Sequence, residues 1–447
     1  MKVLLLSFYD LGKQPKIISE IFNKLNSNST EIDFIDYSLE SMEVQLDRYD
    51  AIGIYASMHT ATVLATQYLS NKNVPDKIFT FGLYGRVLSD SDSRIKYIEN
   101  IEHDELDEYL NLITNDDYSL KETIPDRSIF PEISKYARLI NGMDETLTGS
   151  VETTYGCKHL CTHCPVPIQF KGRFKTFSEK KIIDDISNQI ELGAAHISFN
   201  DADFFNGPKY SLKILEKLNN EFPSVTYDST IKVQHIIKYK DYFKELNNLN
   251  MLFVISAFET TNDLVLEILQ KNHTARDLDE SIEISKVNNI DIRPTWMPFT
   301  PWTETTDLHN IIKLIEKYQL RETVDPIQLT IKLLIPKHSL IIDRPEIKKY
   351  LGRYDTESFS YRWSYEDIKV DQLQKSLFNY VVENEELDEK DQYMGLVYLI
   401  EDLTENNIIY SHNYTYRDVP KLSETWFCCS EPNKIQLERI KSNNALI

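Results

Sequence analysis

The chain reads Thr154-Tyr155-Gly156-Cys157-Lys158-His159-Leu160-Cys161-Thr162-His163-Cys164-Pro165, and this stretch, which follows a strand-like run at 150–154, decides its interpretation. Three cysteines at Cys-x3-Cys-x2-Cys spacing share one short loop. Thiolates are soft ligands that select zinc, copper(I) or iron–sulfur clusters. A four-iron cluster normally takes four thiolates. Three thiolates with no obvious fourth would leave one iron free to bind another ligand.

A structural zinc site is the main alternative, with His159 or His163 as the fourth ligand. Zinc motifs usually pair two close cysteines with a second pair about 12–20 residues away. No such second pair follows this loop. A buried cluster of unliganded cysteines is a third interpretation. The spacing favours an iron–sulfur cluster over both.

The composition limits the class of protein. The 447 residues suffice for two or three domains, each with its own core. A formal charge of −21 argues against non-specific binding to nucleic acid or anionic membranes but leaves room for a local basic pocket. Five cysteines, three of them clustered, do not form a disulfide framework, and no apolar stretch approaches a membrane span. We therefore expect a cytoplasmic protein, with no nucleic-acid partner and no membrane contact.

The first 85 residues alternate strand-like and helical runs. Strands are predicted at 3–9, 32–37, 51–56 and 77–84, and helices at 17–25 and 60–69. This alternation predicts a doubly wound α/β domain, Rossmann- or flavodoxin-like, with a parallel sheet. The polar, acidic stretch from 89 to about 141 predicts a connector with short helices.

Six further strand candidates follow, mostly separated by helices. They lie at 150–154, 196–200, 225–231, 252–258, 291–298 and 328–335. Six such units predict a partial (β/α)6 TIM-like barrel, in which ligands bind at the C-terminal ends of the strands. The cysteine loop follows the first strand, where an active site is expected. Helical runs at 371–382 and 386–401 predict an α-rich C-terminal region, so the expected domains are 1–125, 126–337 and 338–447.

The cysteine spacing resembles that of the radical S-adenosylmethionine (SAM) superfamily. The rest of the chain resembles, more narrowly, the CUAEP/CCAEP-tail radical SAM proteins, which have an N-terminal cobalamin-binding-like domain and a C-terminal Cys-Cys or selenocysteine tail. The resemblance spans nearly the full length. The stretches that carry it are 57–61, 81–84, 157–174, 196–208, 293–303 and the tail Cys428-Cys429-Ser430-Glu431-Pro432, with Ser430 where the family name has Ala.

The resemblance implies a [4Fe-4S] cluster on Cys157, Cys161 and Cys164, whose free iron chelates SAM. It implies reductive cleavage of SAM to a 5′-deoxyadenosyl radical, with an electron donor such as flavodoxin or ferredoxin and a small-molecule or peptide substrate. Cobalamin is a candidate further cofactor. The loop at 9–15 lacks the histidine of the Asp-x-His-x-x-Gly motif that supplies a lower axial ligand. An N-terminal domain that binds no cofactor is the alternative.

Polar residues at the strand ends are the candidates for binding SAM. The resemblance suggests that a residue near Glu259 contacts SAM, and we assign Glu259 to the ribose or amino group. Lys232 or Arg293 would bind the carboxylate. Asp201 and Asp203 follow the second barrel strand and could orient SAM or substrate, or cap the next helix. Alternatively, each of these residues is a surface residue or a member of an ion pair, without a role in binding.

Cys428 and Cys429 form a vicinal pair. Adjacent thiols can chelate a soft ion, relay electrons or form a reducible disulfide, and they can also be buried small hydrophobes. We predict that they are catalytic. The sequence thus predicts a radical SAM enzyme that modifies a small molecule or peptide, with cobalamin-dependent methylation as one form of this chemistry. A non-catalytic metal or thiol protein, a zinc or iron–sulfur sensor, is the alternative.

Overall fold

A parallel five-stranded sheet forms the N-terminal part of the computed structural model, which describes residues 1–26, 30–70, 72–99, 105–111, 124–405, 414–424 and 438. The strand order is β2-β1-β3-β4-β5. The strands are β1 (Lys2–Ser7), β2 (Glu31–Asp36), β3 (Ala51–Tyr55), β4 (Lys77–Phe81) and β5 (Ile95–Tyr97). The helices are α1 (Lys16–Asn26), α2 (His59–Leu69), α3 (Gly85–Ser89) and α4 (Glu105–Leu110).

The first strand shows why this sheet is covered on both faces. Successive side chains of a strand point to opposite faces. Leu4 and Leu6 belong to one hydrophobic core, and Val3 and Leu5 belong to a second one. An unbroken apolar run is typical of strands in such sheets, so the doubly wound prediction is confirmed. The strand β5 was not predicted, because its three residues are too short to show a period.

A second sheet forms a curled half-barrel with the order β13-β12-β11-β10-β7-β6-β16. In this sheet β7, β10, β11, β12 and β13 are parallel, whereas β6 pairs antiparallel with β7. The strands β8 and β9 form a separate antiparallel pair. The strands of this region are β6 (Arg138–Asn141), β7 (Asp144–Val151), β8 (Thr154–Gly156), β9 (Phe174–Thr176), β10 (His196–Phe199), β11 (Thr226–Thr230), β12 (Met251–Glu259) and β13 (Asp291–Trp296). The helices are α5 (Val166–Phe170), α6 (Glu179–Glu191), α7 (Pro208–Glu221), α8 (Val233–Lys238), α9 (Lys240–Asn248), α10 (Asp263–Ile268), α11 (Ala275–Val287) and α12 (Thr305–Tyr318).

The sixth predicted barrel strand, 328–335, is not a strand. A 3-10 turn occupies Pro326–Thr330, and a single parallel bridge joins Phe299 to Lys332. At 328–335, hydrogen bonds between side chains and the backbone replace the backbone hydrogen bonds that would join two strands. The carbonyl of Thr330 accepts from Gln374 Nε2, and the side chain of Gln328 accepts from the backbone of Trp296. The half-barrel therefore has five parallel strands followed by one bridge.

The C-terminal region contains a hairpin, two helices and a returning strand. These are β14 (Leu351–Asp355), β15 (Ser360–Trp363), α13 (Ile368–Glu383), α14 (Glu389–Thr404) and β16 (Lys421–Leu422). The strand β16 pairs antiparallel with β6. Just beyond it, Glu424 Oε2 accepts from the hydroxyl of Tyr9 at 3.0 Å. Within the described ranges, every helix is too short or too polar to cross a membrane.

Candidate active site

A cavity of about 1140 Å³ lies between the N-terminal domain and the half-barrel. Its walls come from the loops after β1, β3 and β4, the cysteine loop, and the C-terminal ends of β7, β10, β11 and β12. Ligand pockets usually measure about 300–1,000 Å³. The cavity is therefore large enough for more than one ligand beside the cysteines.

All three cysteines of the loop line this cavity. Cys157 and Cys161 are buried, and Cys164 is half-buried. Gly156 begins the loop at φ +90°, and a side chain there would meet the carbonyl of Arg173 at 2.5 Å. Further along, the backbone N–H of Thr162 donates to the carbonyl of Leu269 at 3.0 Å, and its hydroxyl donates to Ile268. The loop is thereby fixed against the end of α10.

The loop fits a cluster better than a single zinc ion. Zinc with bonds of about 2.3 Å holds its sulfur ligands roughly 3.8 Å apart. Among the described residues, the group of three ligand atoms within 4.8 Å of one another is His159, Asp203 and His235, without a cysteine. Burial raises the pKa of the Cys157 thiol to about 11 and that of Cys164 to about 12. Thiolates at these positions therefore require a bound metal centre to offset their desolvation.

Asp201 fixes the start of the cysteine loop. Its carboxylate accepts from the backbone N–H groups of Thr153 and Thr154 at 2.9 and 2.6 Å. It also accepts from both threonine hydroxyls, at 2.8 and 2.5 Å. Burial raises the pKa of Asp201. This carboxylate lines the cavity, but four hydrogen bonds already occupy it, and it acts as a positioning residue.

Asp203 ties the cysteine loop to α8. Its Oδ2 lies 3.4 Å from His159 Nε2 and 2.5 Å from His235 Nδ1. Burial raises the pKa of Asp203, but the two nearby histidines outweigh it and hold the pKa below its usual range. The side chain is fully buried. It is absent from the cavity lining within the described part of the chain, which argues against the predicted contact with SAM or substrate.

Lys232 and Glu259 line the cavity. Lys232 Nζ lies 3.4 Å from Cys161 Sγ. Glu259 ends β12 at φ +65°, and its Oε1 accepts from Lys271 Nζ at 2.9 Å and lies 3.2 Å from His163 Nε2. Burial raises the pKa of Glu259, but Lys271 and His163 outweigh it and hold the pKa below its usual range. Sequence reasoning missed Lys271, because it follows α10 without any motif.

Arg293 lies apart from the other predicted ligands. Its guanidinium donates to the carbonyls of Glu322 and Pro420 at 3.3 and 3.5 Å. It stands three residues before the end of β13 and is not among the described residues that line the cavity. The structure therefore argues against Arg293 as a ligand of the SAM carboxylate.

The cavity also carries charges that the sequence did not reveal, from the loop after β1 and from Glu152 just after β7. Lys13 Nζ donates to Asn200 Oδ1, so the loop after β1 touches the end of β10. Burial raises the pKa of Asp10 to about 7 and that of Glu152 to about 7, and it lowers the pKa of Lys13. These groups come from distant parts of the chain and meet only in the fold.

Cys428 and Cys429 lie outside the described residues. The described chain leads toward them as far as Glu424, beside Tyr9. Their catalytic role stays a prediction.

The comparisons with known proteins agree with this geometry. The Radical SAM superfamily pattern matches residues 151–318. The ribosomal protein uS12 methylthiotransferase RimO of Pseudothermotoga lettingae is 25% identical over 177 residues, which cover 37% of this chain and 41% of RimO. The chain thus spans about two fifths of the length of this curated relative.

Two solved structures share the fold over most of the chain. The cobalamin-dependent SAM radical enzyme OxsB, with aqua-cobalamin and SAM bound, has a TM-score of 0.64 and 12% identity, covering 91% of this chain and 73% of OxsB. The radical SAM methyltransferase TsrM from Kitasatospora setae, with cobalamin and a [4Fe-4S] cluster bound, has a TM-score of 0.53 and 12% identity, covering 71% and 73%.

Residues 151–318 thus form a radical SAM domain. Enzymes with this domain use a [4Fe-4S] cluster and SAM. The narrower resemblance to the CUAEP/CCAEP-tail proteins rests on the sequence motifs alone.

Proposed function

We propose that this protein cleaves SAM reductively at a [4Fe-4S] cluster on Cys157, Cys161 and Cys164 and methylates a small molecule or peptide with the help of cobalamin. One observation carries the proposal. A single cavity joins the cysteine loop to the three loops at the C-terminal edge of the N-terminal sheet. We further propose an electron donor such as flavodoxin or ferredoxin and a cytoplasmic location.

The residues around the cysteines suit the binding of SAM. When bound, the cluster and SAM supply a 5′-deoxyadenosyl radical, and cobalamin supplies a methyl group. Lys232 offers its ammonium to a carboxylate beside Cys161. Glu259 stays ionised and is oriented by Lys271 and His163, ready to accept from an amino group or ribose hydroxyl. The cavity walls limit water around reactive species.

The N-terminal loops suit cobalamin without a histidine ligand. The side chains that the loop after β1 presents to the cavity are Asp10, Leu11, Lys13 and Gln14. On the same side, the turn after β4 begins with Gly82 at φ +95°, where a side chain would meet the carbonyl of Ala56 at 2.7 Å. Tight turns of this kind let a large flat ligand approach the sheet edge. OxsB and TsrM, which share the fold, bind cobalamin.

Metal and cofactor analysis of the anaerobically reconstituted protein tests the proposal. We expect about four irons per chain, the number in the cluster, and their loss in the Cys157→Ala/Cys161→Ala/Cys164→Ala variant. We expect cobalamin to bind the chain stoichiometrically, followed by its visible spectrum. Incubation with reductant and SAM should yield 5′-deoxyadenosine, and deuterated-methyl SAM should label bound cobalamin. Stoichiometric zinc without iron would instead support the alternative, a non-catalytic metal sensor. Iron without cobalamin binding would contradict the proposed cobalamin-dependent methylation.

A further inference from the structure

Three polar side chains meet beside the cysteine loop without forming hydrogen bonds to one another. His159 belongs to that loop, Asp203 follows β10, and His235 lies on α8. His159 Nε2, Asp203 Oδ2 and His235 Nδ1 all lie within 4.8 Å of one another. Each of these atoms is buried and has no hydrogen-bond partner of acceptable geometry among the described residues. Because a buried polar atom without a partner costs free energy, this cluster indicates a ligand that all three atoms contact.

The two oxygens of the Asp203 carboxylate have different surroundings. Its Oδ1 accepts from the backbone N–H groups of Phe205 and Lys232 at 3.2 and 3.4 Å. Its Oδ2 faces the imidazoles, 3.4 Å from His159 Nε2 and 2.5 Å from His235 Nδ1. Carboxylates that bind metal ions are commonly held by such outer hydrogen bonds. The backbone therefore orients Asp203 independently of the two histidines and leaves Oδ2 available to a metal ion.

Two imidazoles and one carboxylate are a donor set that binds divalent metal ions. This set holds zinc in catalytic sites and iron(II) in non-haem oxygenases. Zinc bonds of about 2.0–2.2 Å at tetrahedral angles place neighbouring ligand atoms roughly 3.4 Å apart. The distance from His159 Nε2 to Asp203 Oδ2 already has this value, 3.4 Å. A bound ion would widen the shorter distance, from Asp203 Oδ2 to His235 Nδ1, by about 0.9 Å.

The three side chains come from different elements and form a group separate from the cysteines. Among the described residues, no cysteine belongs to this group of ligand atoms. His159 lines the cavity, whereas Asp203 and His235 are not among its described lining residues. A water molecule on the cavity side of His159 would complete a tetrahedral set. An ion held here would join the cysteine loop, the turn after β10 and α8.

We propose that His159, Asp203 and His235 bind one divalent transition-metal ion of the zinc type, separate from the [4Fe-4S] cluster. The ion cross-links the cysteine loop to α8 and supplies the partner that three buried polar atoms lack among the described residues. No electron is transferred, because the ion serves as a structural centre. The inference goes beyond the proposed function, since binding of this ion requires neither the cluster nor SAM.

Zinc analysis of the reconstituted full chain tests the site. The protein is incubated with zinc chloride, dialysed and analysed for zinc and iron. We expect His235→Gln to hold one zinc fewer per chain than the parent and to bind it at least about 100-fold more weakly. Asp203→Asn, which keeps an oxygen for the two backbone N–H groups, should behave likewise. The matched control is His338→Gln, which breaks the partly exposed pair with Asp90 and should match the parent. Equal zinc in the parent and both test variants, or none in the parent, would overturn the proposal.

A cysteine-free full chain separates this site from the proposed function. In it, alanine replaces Cys157, Cys161, Cys164, Cys428 and Cys429, and far-UV circular dichroism checks that it is folded. We expect it to bind one cobalt(II) ion, a spectroscopic substitute for zinc, without the charge-transfer band of sulfur ligands, and to lose that ion when His235→Gln is added. Cobalt bound equally with and without His235→Gln would overturn the metal site. A parent that assembles no cluster, while the cysteine-free chain still binds cobalt through His235, loses only the proposed function.

Discussion

The ammonium group of Lys232 lies 3.4 Å from the sulfur of Cys161, and both side chains are buried. Hydrogen bonds to the sulfurs and local charge help set the potential of iron–sulfur centres. A buried cation at this distance favours the reduced, more negative cluster. Lys232 thus acts on the cysteine loop itself, apart from any contact that it makes with SAM.

Replacing Lys232 by methionine should lower the reduction potential of the cluster. We expect a shift of roughly 100 mV to more negative values, the size that one nearby charge gives at an effective dielectric constant of about 20. An EPR-monitored redox titration without SAM measures it. Lys240→Met, at an exposed lysine on α9, is the control and should titrate like the parent. An unshifted potential in Lys232→Met would contradict the electrostatic role.

Removal of Lys271 should leave Glu259 as a buried charge with His163 as its remaining partner among the described residues. Losing one partner of a buried ion pair costs about 3–5 kcal/mol, and we expect Lys271→Met to lower the free energy of unfolding of the apoprotein by about 3 kcal/mol. Denaturant unfolding measures the loss. Lys317→Met breaks the exposed pair with Asp279 and should cost less than about 1 kcal/mol. The double variant Glu259→Gln/Lys271→Met should regain part of the loss, and a further drop would argue against the pairing.

Asp201→Ala should impair assembly of the cluster without unfolding the protein. The change removes all four hydrogen bonds to Thr153 and Thr154, so the cysteine loop loses its fixed start. We expect less than about half of the parent iron content after reconstitution. Far-UV circular dichroism should be unchanged. Asp184→Ala on the outer side of α6 should load iron normally, and full loading of Asp201→Ala would exclude the positioning role.

Asp10 should make stability depend on pH. Burial raises its pKa to about 7, with Lys13 opposing the shift and Glu152 and Asp36 adding to it. The unfolded chain has the ordinary carboxyl pKa near 4. Between about pH 4 and pH 7 the folded state therefore binds more protons than the unfolded state, and this group costs stability as the pH rises.

Asp10→Asn removes that cost. The variant should melt at a higher temperature than the parent at about pH 8, and the difference should vanish near pH 4. Scanning calorimetry of the apoprotein at both pH values measures it. Asp47→Asn, at an exposed residue, is the control. Its change in melting temperature between the two pH values should equal that of the parent. An equal gain at both pH values would show that the amide acts through packing instead of ionisation.

Short sequence patterns were sufficient to predict the cysteine loop and several strands of the half-barrel. The cysteine spacing marks the loop, and β10 and β12 follow apolar runs of ordinary length. The partners of Glu259 could not be predicted, since Lys271 meets it only after the chain passes through α10. Arg293 was assigned by its place near a strand end, but its carbonyl partners lie in segments far along the chain.

The prediction of a sixth strand at 328–335 was wrong for a related reason. The run at 328–335 is apolar enough for a strand, yet side chains of distant residues satisfy its backbone. Gln374, which donates to Thr330, belongs to α13. A local sequence pattern predicts a strand only where no distant residue forms hydrogen bonds with the same backbone groups.

The contact between Tyr9 and Glu424 joins residues 415 positions apart. During synthesis the loop after β1 leaves the ribosome long before its partner does. For most of that time β6 has an open edge, because β16 is made more than 270 residues after it. The contact between the loop after β1 and the segment that follows β16 is thus formed last.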